Sequence, residues 1–205
     1  MKKRDLDFLF EIGANRFIKR SWTRFLGTDF ANLSEHTLRV IWISLVIAKN
    51  EKNVDLDKVL KMALVHDITE SRTGDVDYLS RQYTERNEVK AISDILEKTS
   101  LEPDFIELWH EYEERKCPEA KIVKDADNLD VELELIEQES RANPLPKKWH
   151  KMRSKVATQK LFVTKTGQEL YKKILKADPD NWHVAGPNRF NKGDYSAKKK
   201  KPDQL

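Results

Sequence analysis

Apolar residues recur along this chain at helical spacing, with no convincing run of period-two alternation and no internal repeat. Residues 5–20 read as a first helix whose apolar side holds Leu6, Leu9, Phe10, Phe17 and Ile18. The stretch 21–33, with Gly27, Thr28, Asp29 and Asn32, reads as a loop. Ser34 is a good N-cap for a helix running to about Asn50. That helix (VIWISLVIA) is apolar almost all round, which predicts a place in the middle of the core. Asp55 caps the next one, where Leu56, Val59, Leu60, Ala63 and Leu64 follow at i, i+3, i+4, i+7 and i+8. Thr73-Gly74-Asp75 breaks the pattern.

Residues 84–98 predict another helix with Val89, Ile92, Ile95 and Leu96 facing inward, and Phe105, Leu108, Trp109 and Tyr112 mark a shorter one. Pro118 opens a long helix over about 119–139, with the stripe Ile122, Ala126, Leu129, Leu133 and Ile136. Asn143-Pro144-Leu145-Pro146 ends it. A last helical stretch near 160–177 precedes a polar segment without periodicity. The pattern as a whole predicts an all-α domain over residues 1–178, followed by an irregular segment over 179–205.

Composition narrows the picture further. A chain of 205 residues suffices for one well-buried domain. Six glycines and seven prolines are few for a β-sandwich with many tight turns. The net charge of +3, from 38 basic and 35 acidic side chains, does not call for a nucleic-acid partner. The Lys198–Lys201 run reads as a solvated tail. Cys117, the single cysteine, has no intramolecular disulfide partner and fits a reducing compartment. The start MKKRD resembles the basic beginning of a signal peptide, but Asp5, Asp7 and Glu11 break up the positions where its apolar core would stand. The longest apolar stretch, Val40–Ala48, falls far short of the ~20 residues of a membrane span. A cytoplasmic protein with no membrane partner is expected.

The candidate chemistry lies in Leu64-Val65-His66-Asp67-Ile68-Thr69-Glu70. An imidazole and a carboxylate at the end of an apolar helix offer nitrogen and oxygen ligands to a borderline or hard divalent cation. His36 sits in the first turn of the most apolar helix. Asp127 is flanked one turn away by Val123 and Val131, so it points inward, where a buried carboxylate needs a partner. Taken singly, His36 fits a capping or core histidine, Asp67 a turn residue, and Asp127 one more acid in the charged run 125–134. As an ordered set at buried helix positions, the four make a metal site as good a reading as these separate ones.

These residues also resemble a known family. The order His36, His66-Asp67, Asp127 is similar to the HD-domain metal-dependent phosphohydrolases. Ser34-Glu35-His36 with Arg39-Val40, His66-Asp67-Ile68-Thr69-Glu70 with Thr73-Gly74-Asp75, and Lys124-Asp125-Ala126-Asp127-Asn128-Leu129-Asp130 resemble phrases of its 5′-deoxynucleotidase-like branch. The resemblance covers roughly residues 15–140. It implies one divalent cation (Mn, Co, Fe, Ni, Zn or Mg) held by His36, His66, Asp67 and Asp127. It also implies that Glu70 positions or deprotonates the attacking water, and that Asp75 assists as proton donor or water positioner. In the family the phosphate and sugar contacts fall near Lys19–Arg24, which singles out Arg20, Trp22 and Arg24 without choosing between the two arginines. The implied substrate is a deoxyribonucleoside 5′-monophosphate, and a homodimer is expected by analogy. Hydrolysis of a cyclic or bis-phosphorylated nucleotide, or a nucleotide- or nucleic-acid-binding module without catalysis, are the alternatives.

Overall fold

The central helix begins at a reciprocal cap. Asn32 is extended, its side chain accepts the Glu35 backbone N–H (3.1 Å), and the Glu35 carboxylate accepts the Asn32 N–H (3.0 Å). This box satisfies two donors that the first turn leaves without partners. It starts α3 (Leu33–Ala48) two residues earlier than a Ser34 cap would. The computed structural model describes residues 2–27, 30–156 and 161–185. Thr28, Asp29 and the Lys198–Lys201 run lie outside them.

Two helices pack on α3: α4 (Leu56–Val65), capped by Asp55 as expected, and α8 (Pro118–Ser140), with Pro118 at its start. Between them Val40, Ile47, Val59, Met62, Ile122, Ala126 and Leu129 form the main core. α7 (Asp104–Glu114) adds Tyr112 to it, and α10 (Lys165–Ile174) adds Tyr171 and Ile174. A second cluster joins Val65, Ile68 and Trp109 to Ile92, Ile95 and Leu96 of α6 (Glu88–Leu96). A third joins Leu26 and Phe30 to Val131 and Leu135, with Trp22, Phe25 and Trp149 at its edge. Among the described residues the β-type pairing amounts to one bridge between Lys19 and Asn32. The fold is all-α, as the periodicity predicts.

The structure departs from the sequence reading at several faces. In α1 (Arg4–Gly13) Phe8 and Ile12 turn toward the second cluster while Leu6, Leu9 and Phe10 are exposed. This helix carries large apolar side chains on both sides, so periodicity alone picks no inner face. It also stops at Gly13, and a 3-10 turn over Ala14–Phe17 leaves Phe17 outside. Leu64 and Val89 are exposed too, Val89 lining an open groove beside Trp109 and His110. α3 is not buried all round: Leu38, Trp42 and Val46 face outward.

Short elements fill the rest. Single-turn helices α2 (Thr23–Leu26) and α5 (Glu70–Thr73) lie in stretches read as loop or helix end. Pro146, read as part of a stop, instead opens α9 (Pro146–Val156), because a proline in the first turn gives up only an N–H that has no intrahelical acceptor. Asn181–Val184 forms a further helical turn, α11, inside the segment expected to be irregular.

Candidate metal centre and active site

Three helices each deliver part of the site. His36 lies one turn into α3, His66 and Asp67 come directly after α4, and Asp127 sits in the first half of α8. One ligand atom from each of these four residues lies within 4.8 Å of all the others. Asp67 Oδ2 is 3.3 Å from both His36 Nε2 and His66 Nε2, and Asp127 Oδ1 is 3.4 Å from His36 Nε2.

The two imidazoles are held from behind. His36 Nδ1 is 2.6 Å from Asp130 Oδ2, and His66 Nδ1 is 2.8 Å from the Ala63 carbonyl. With a proton on each Nδ1 donated to these acceptors, both Nε2 atoms present lone pairs to one point. Asp130 is held in turn by Arg39 Nε, and Arg39 Nη1 donates to both oxygens of Glu137 at 2.8 and 2.9 Å. Burial and the Arg20 charge push His36 down, but hydrogen bonding to Asp127, Asp130 and Asp67 outweighs them and holds it well above the usual imidazole range. A proton and a cation therefore compete for His36 Nε2. Two imidazole nitrogens and two carboxylates form a donor set that fits a divalent metal ion.

The remaining acids surround one guanidinium. Arg20 is buried, with Nη1 3.5 Å from Asp67 and 3.7 Å from Glu70, and Nε 3.4 Å from Asp75. Asp75 does not cap a helix: it accepts the Ser21 N–H (3.0 Å) and hydroxyl (3.1 Å), which ties the Arg20–Trp22 segment to the site. Burial, with the charges of Asp67 and Asp75, pushes Glu70 up to about 9 against Arg20 and His36. Glu70 Oε2 is a buried oxygen without a hydrogen-bond partner, a further mark of a group built to meet something besides protein.

A cleft of about 170 Å³ leads to this cluster, lined at its inner end by Arg20, Asp75 and Asp127 and farther out by Trp22, Phe25 and Tyr78. Trp22 stands edge-on to Trp149 at 4.9 Å. Arg24 takes no part in the lining: it is more than half exposed and bonds to Asp77 (3.0 Å) and Ser80 (2.9 Å). Of the residues singled out from sequence, the structure brings together His36, His66, Asp67, Asp127, Glu70, Asp75 and Arg20. Trp22 lies at the cleft wall, and Arg24 lies apart.

Sequence reasoning missed Asp130 and Arg39 as supports of His36, although both stand in the phrases that carry the resemblance. It also missed α9, which brings Trp149 to the aromatic wall and Arg153 to the cleft. Buried Glu132 anchors α9 by accepting from Arg153 Nε (2.5 Å) and bonding His150 Nδ1 (3.1 Å). Burial works against that carboxylate's charge, but His150 and Arg153 hold Glu132 below the usual glutamate range.

An all-α bundle with a two-histidine, two-aspartate cluster at the meeting of three helices defines a candidate divalent-metal centre. Residues 12–166 match the HD domain, and the chain belongs to that family. It is 30% identical over 175 residues to the 5′-deoxynucleotidase HDDC2 of Dictyostelium discoideum, which covers 80% of this chain and 88% of that protein. The 5′-deoxynucleotidase YGK1 of Saccharomyces cerevisiae is 29% identical over 121 residues, 55% of each chain. Among solved structures, a conserved hypothetical protein from Pyrococcus furiosus superposes with a TM-score of 0.72 at 25% identity, covering 84% of this chain and 99% of that one. A predicted metal-dependent phosphohydrolase from Magnetospirillum magnetotacticum shares the fold, with a TM-score of 0.66 at 22% identity over 83% of this chain and 89% of that one.

Proposed function

We propose that this chain is a metal-dependent 5′-nucleotidase that hydrolyses deoxyribonucleoside 5′-monophosphates, with His36, His66, Asp67 and Asp127 as ligands of one divalent cation. The observation that carries this reading is the convergence of those four ligand atoms within 4.8 Å beside a cleft with an acidic, arginine-bearing inner end and an aromatic outer wall. The sugar and the position of the phosphate are taken from the Dictyostelium and Saccharomyces relatives, whose activity is 5′-deoxynucleotidase.

Charge supports a divalent ion in particular. Asp67, Glu70 and Asp75 surround Arg20, with Arg86 3.7 Å from Glu70 on its other oxygen, while Asp127 is 2.7 Å from Lys124 and meets Asp67 at the two histidines. The carboxylates of Asp67 and Asp127 repel a phosphate dianion at the point where their oxygens meet, and a divalent cation held between them reverses that locally. When bound, the cation polarises a phosphoryl oxygen and makes a water more acidic. Mn, Co, Fe, Ni, Zn and Mg all suit this donor set.

The protein groups do the rest. Glu70, raised to about 9 by burial and by the charges of Asp67 and Asp75, would be returned toward its carboxylate form by a cation beside those acids, and in that form it can orient the attacking water and take its proton. Asp75, fixed by Ser21, holds a water in line or relays that water's proton to the departing 5′-oxygen. Arg20 offsets part of the charge of the three acids around it and offers its remaining donor edge to phosphate oxygens. Trp22 packs against the sugar. The lone Cys117 fits a cytoplasmic enzyme, and among the described residues no helix is long and apolar enough to cross a membrane.

The test is phosphate release from ribo- and deoxyribonucleoside 5′-monophosphates by metal-stripped protein with each divalent cation restored, the Asp67→Ala variant serving as blank. Metal-dependent release from deoxynucleotides, absent in the variant, is expected. Metal binding without release from any monophosphate overturns the nucleotidase reading and keeps the metal centre.

A further inference from the structure

The two oxygens of Glu70 face two different guanidinium groups. Oε2 is 3.7 Å from Arg20 Nη1, and Oε1 is 3.7 Å from Arg86 Nη1. Arg20 divides its charge among Asp67, Glu70 and Asp75. Arg86 pairs with Glu70 and, through Nη2 at 2.9 Å, with Glu88. Its side chain is largely buried, and Nη1 is a buried nitrogen without a hydrogen-bond partner, so its charge is directed at Glu70 through little solvent.

The start of α6 sets this position. Asn87 caps the helix, its side chain accepting the Lys90 N–H at 2.9 Å, and Ile92, Ile95 and Leu96 seat it in the second core cluster. Arg86 is the residue before the cap, so its backbone leads straight into a fixed element. Glu88, in the first turn, then holds the far side of its guanidinium. Arg86 and Glu88 line the open groove beside Trp109 and His110, which shares no lining residue with the aromatic cleft. Glu70 therefore lies between Arg20 on the cleft side and Arg86 on the groove side.

We propose that Arg86 is a positioning residue: braced by Glu88, it fixes the plane of the Glu70 carboxylate for its work on the attacking water. The last torsion of a glutamate is soft, so a cation on one oxygen leaves the carboxylate free to turn. A second cation on the other oxygen removes that freedom. A base acts only within hydrogen-bond reach of its proton, and a misplacement of about 1 Å costs on the order of 100-fold. Arg86 does this from outside the reacting centre: it is no part of the cleft wall, and it forms no ion pair with the four metal ligands. The inference rests on the hydrolytic reading of the site, in which Glu70 handles the water.

The test is turnover of a deoxyribonucleoside 5′-monophosphate, with bound metal measured alongside, for wild type and for Arg86→Gln, Arg86→Lys, Glu88→Gln, Glu70→Gln and Arg86→Gln/Glu70→Gln. Melting curves check that each variant keeps its fold. Arg86→Gln is expected to lose about 10- to 100-fold in kcat, with KM and metal content unchanged. Arg86→Lys keeps the charge but cannot meet Glu70 and Glu88 with two nitrogens, so only part of the loss should return. Glu88→Gln is expected to lower kcat by less. In the Glu70→Gln background, adding Arg86→Gln should cost less than about two-fold, which a merely structural support would not show. The full loss in both backgrounds overturns the inference. So does an unchanged kcat, or a loss confined to KM, which would make Arg86 a substrate contact. The pair is also read without turnover, from denaturant unfolding of the metal-stripped single and double variants. Non-additive effects are expected, and strictly additive ones overturn the contact. A wild type inactive on every monophosphate fails the nucleotidase reading instead, and the unfolding cycle then decides whether Arg86 holds Glu70.

Discussion

The Nε2 atoms of His36 and His66 lie 3.4 Å apart, although the two residues are separated by thirty positions, one in the first turn of α3 and the other just past the end of α4. Two imidazoles brought nose to nose repel unless a proton or a cation lies between them. Each ring is held in this pose by an acceptor on its far nitrogen, Asp130 for His36 and the Ala63 carbonyl for His66. The fold therefore invests packing and hydrogen bonds in an arrangement that favours a positive charge at one point.

The support behind His36 is expected to tune metal binding. Asp130→Asn keeps the shape but weakens the acceptor for His36 Nδ1, and affinity for the divalent ion should fall about 10- to 100-fold. Competition with a chromogenic chelator measures this. Unchanged affinity would mean that Asp130 serves packing alone.

Metal loading should be linked to protons. His36 is raised by its acidic neighbours in spite of burial and Arg20, so a cation must displace its proton. Affinity is then expected to rise with pH up to the folded-state pKa of His36, and binding near neutrality to release protons. For metal-stripped protein the sign is opposite. A raised histidine contributes stability that is fully present below the ordinary value of about 6.5 and is lost as pH rises through the folded value. Calorimetric titration in buffers of different ionisation enthalpy, beside melting curves across pH, checks both halves.

Glu70→Gln removes the base while keeping the side chain's size. A turnover loss of about 100- to 10,000-fold is expected, with metal content unchanged and KM little altered. Equal losses in kcat and in metal content would make Glu70 a structural support of the centre instead.

The two arginines of the 20–24 segment should separate cleanly. Arg20→Lys keeps a charge but loses the planar fork among Asp67, Glu70 and Asp75, and KM for a nucleotide should rise about ten-fold. Arg24→Ala breaks an exposed ion pair with Asp77 and should leave kcat/KM within about three-fold of wild type. A large defect in Arg24→Ala alone would move the phosphate contact outside the cleft.

Gly167 is a position where better helix propensity should not help. A Cβ there would stand 2.5 Å from Asp125 Oδ2, an oxygen already held by Val163, Thr164 and the Thr164 hydroxyl. Gly167→Ala is expected to destabilise by about 1–2 kcal/mol, because overpacking outweighs the roughly 1 kcal/mol that alanine gains in a helix. Denaturant unfolding measures it, and a stabilised variant would show that Asp125 yields.

Helix content, the Asp55 cap, the Pro118 start and the order of the four candidate ligands were legible in the sequence, because each depends on local spacing and local chemistry. The Asn32–Glu35 box was equally local, and Ser34 hid it only by being a competent cap two residues later. Inner and outer faces were another matter. α1 and α3 carry apolar side chains around most of their circumference, so which of Phe8 or Phe10, and which of Val40 or Trp42, turns inward depends on the neighbours each helix meets. α9 stayed hidden because Pro146 stops one helix and starts another with the same ring. The choice of Arg20 over Arg24 was likewise made in three dimensions, where Asp67, Glu70 and Asp75 converge on one guanidinium and Asp77 draws the other away. Sequence by itself determined which groups were available for metal chemistry. Only the crossing of α3, α4 and α8 decided that their atoms meet, since that distance is a property of helix packing that no spacing along the chain encodes.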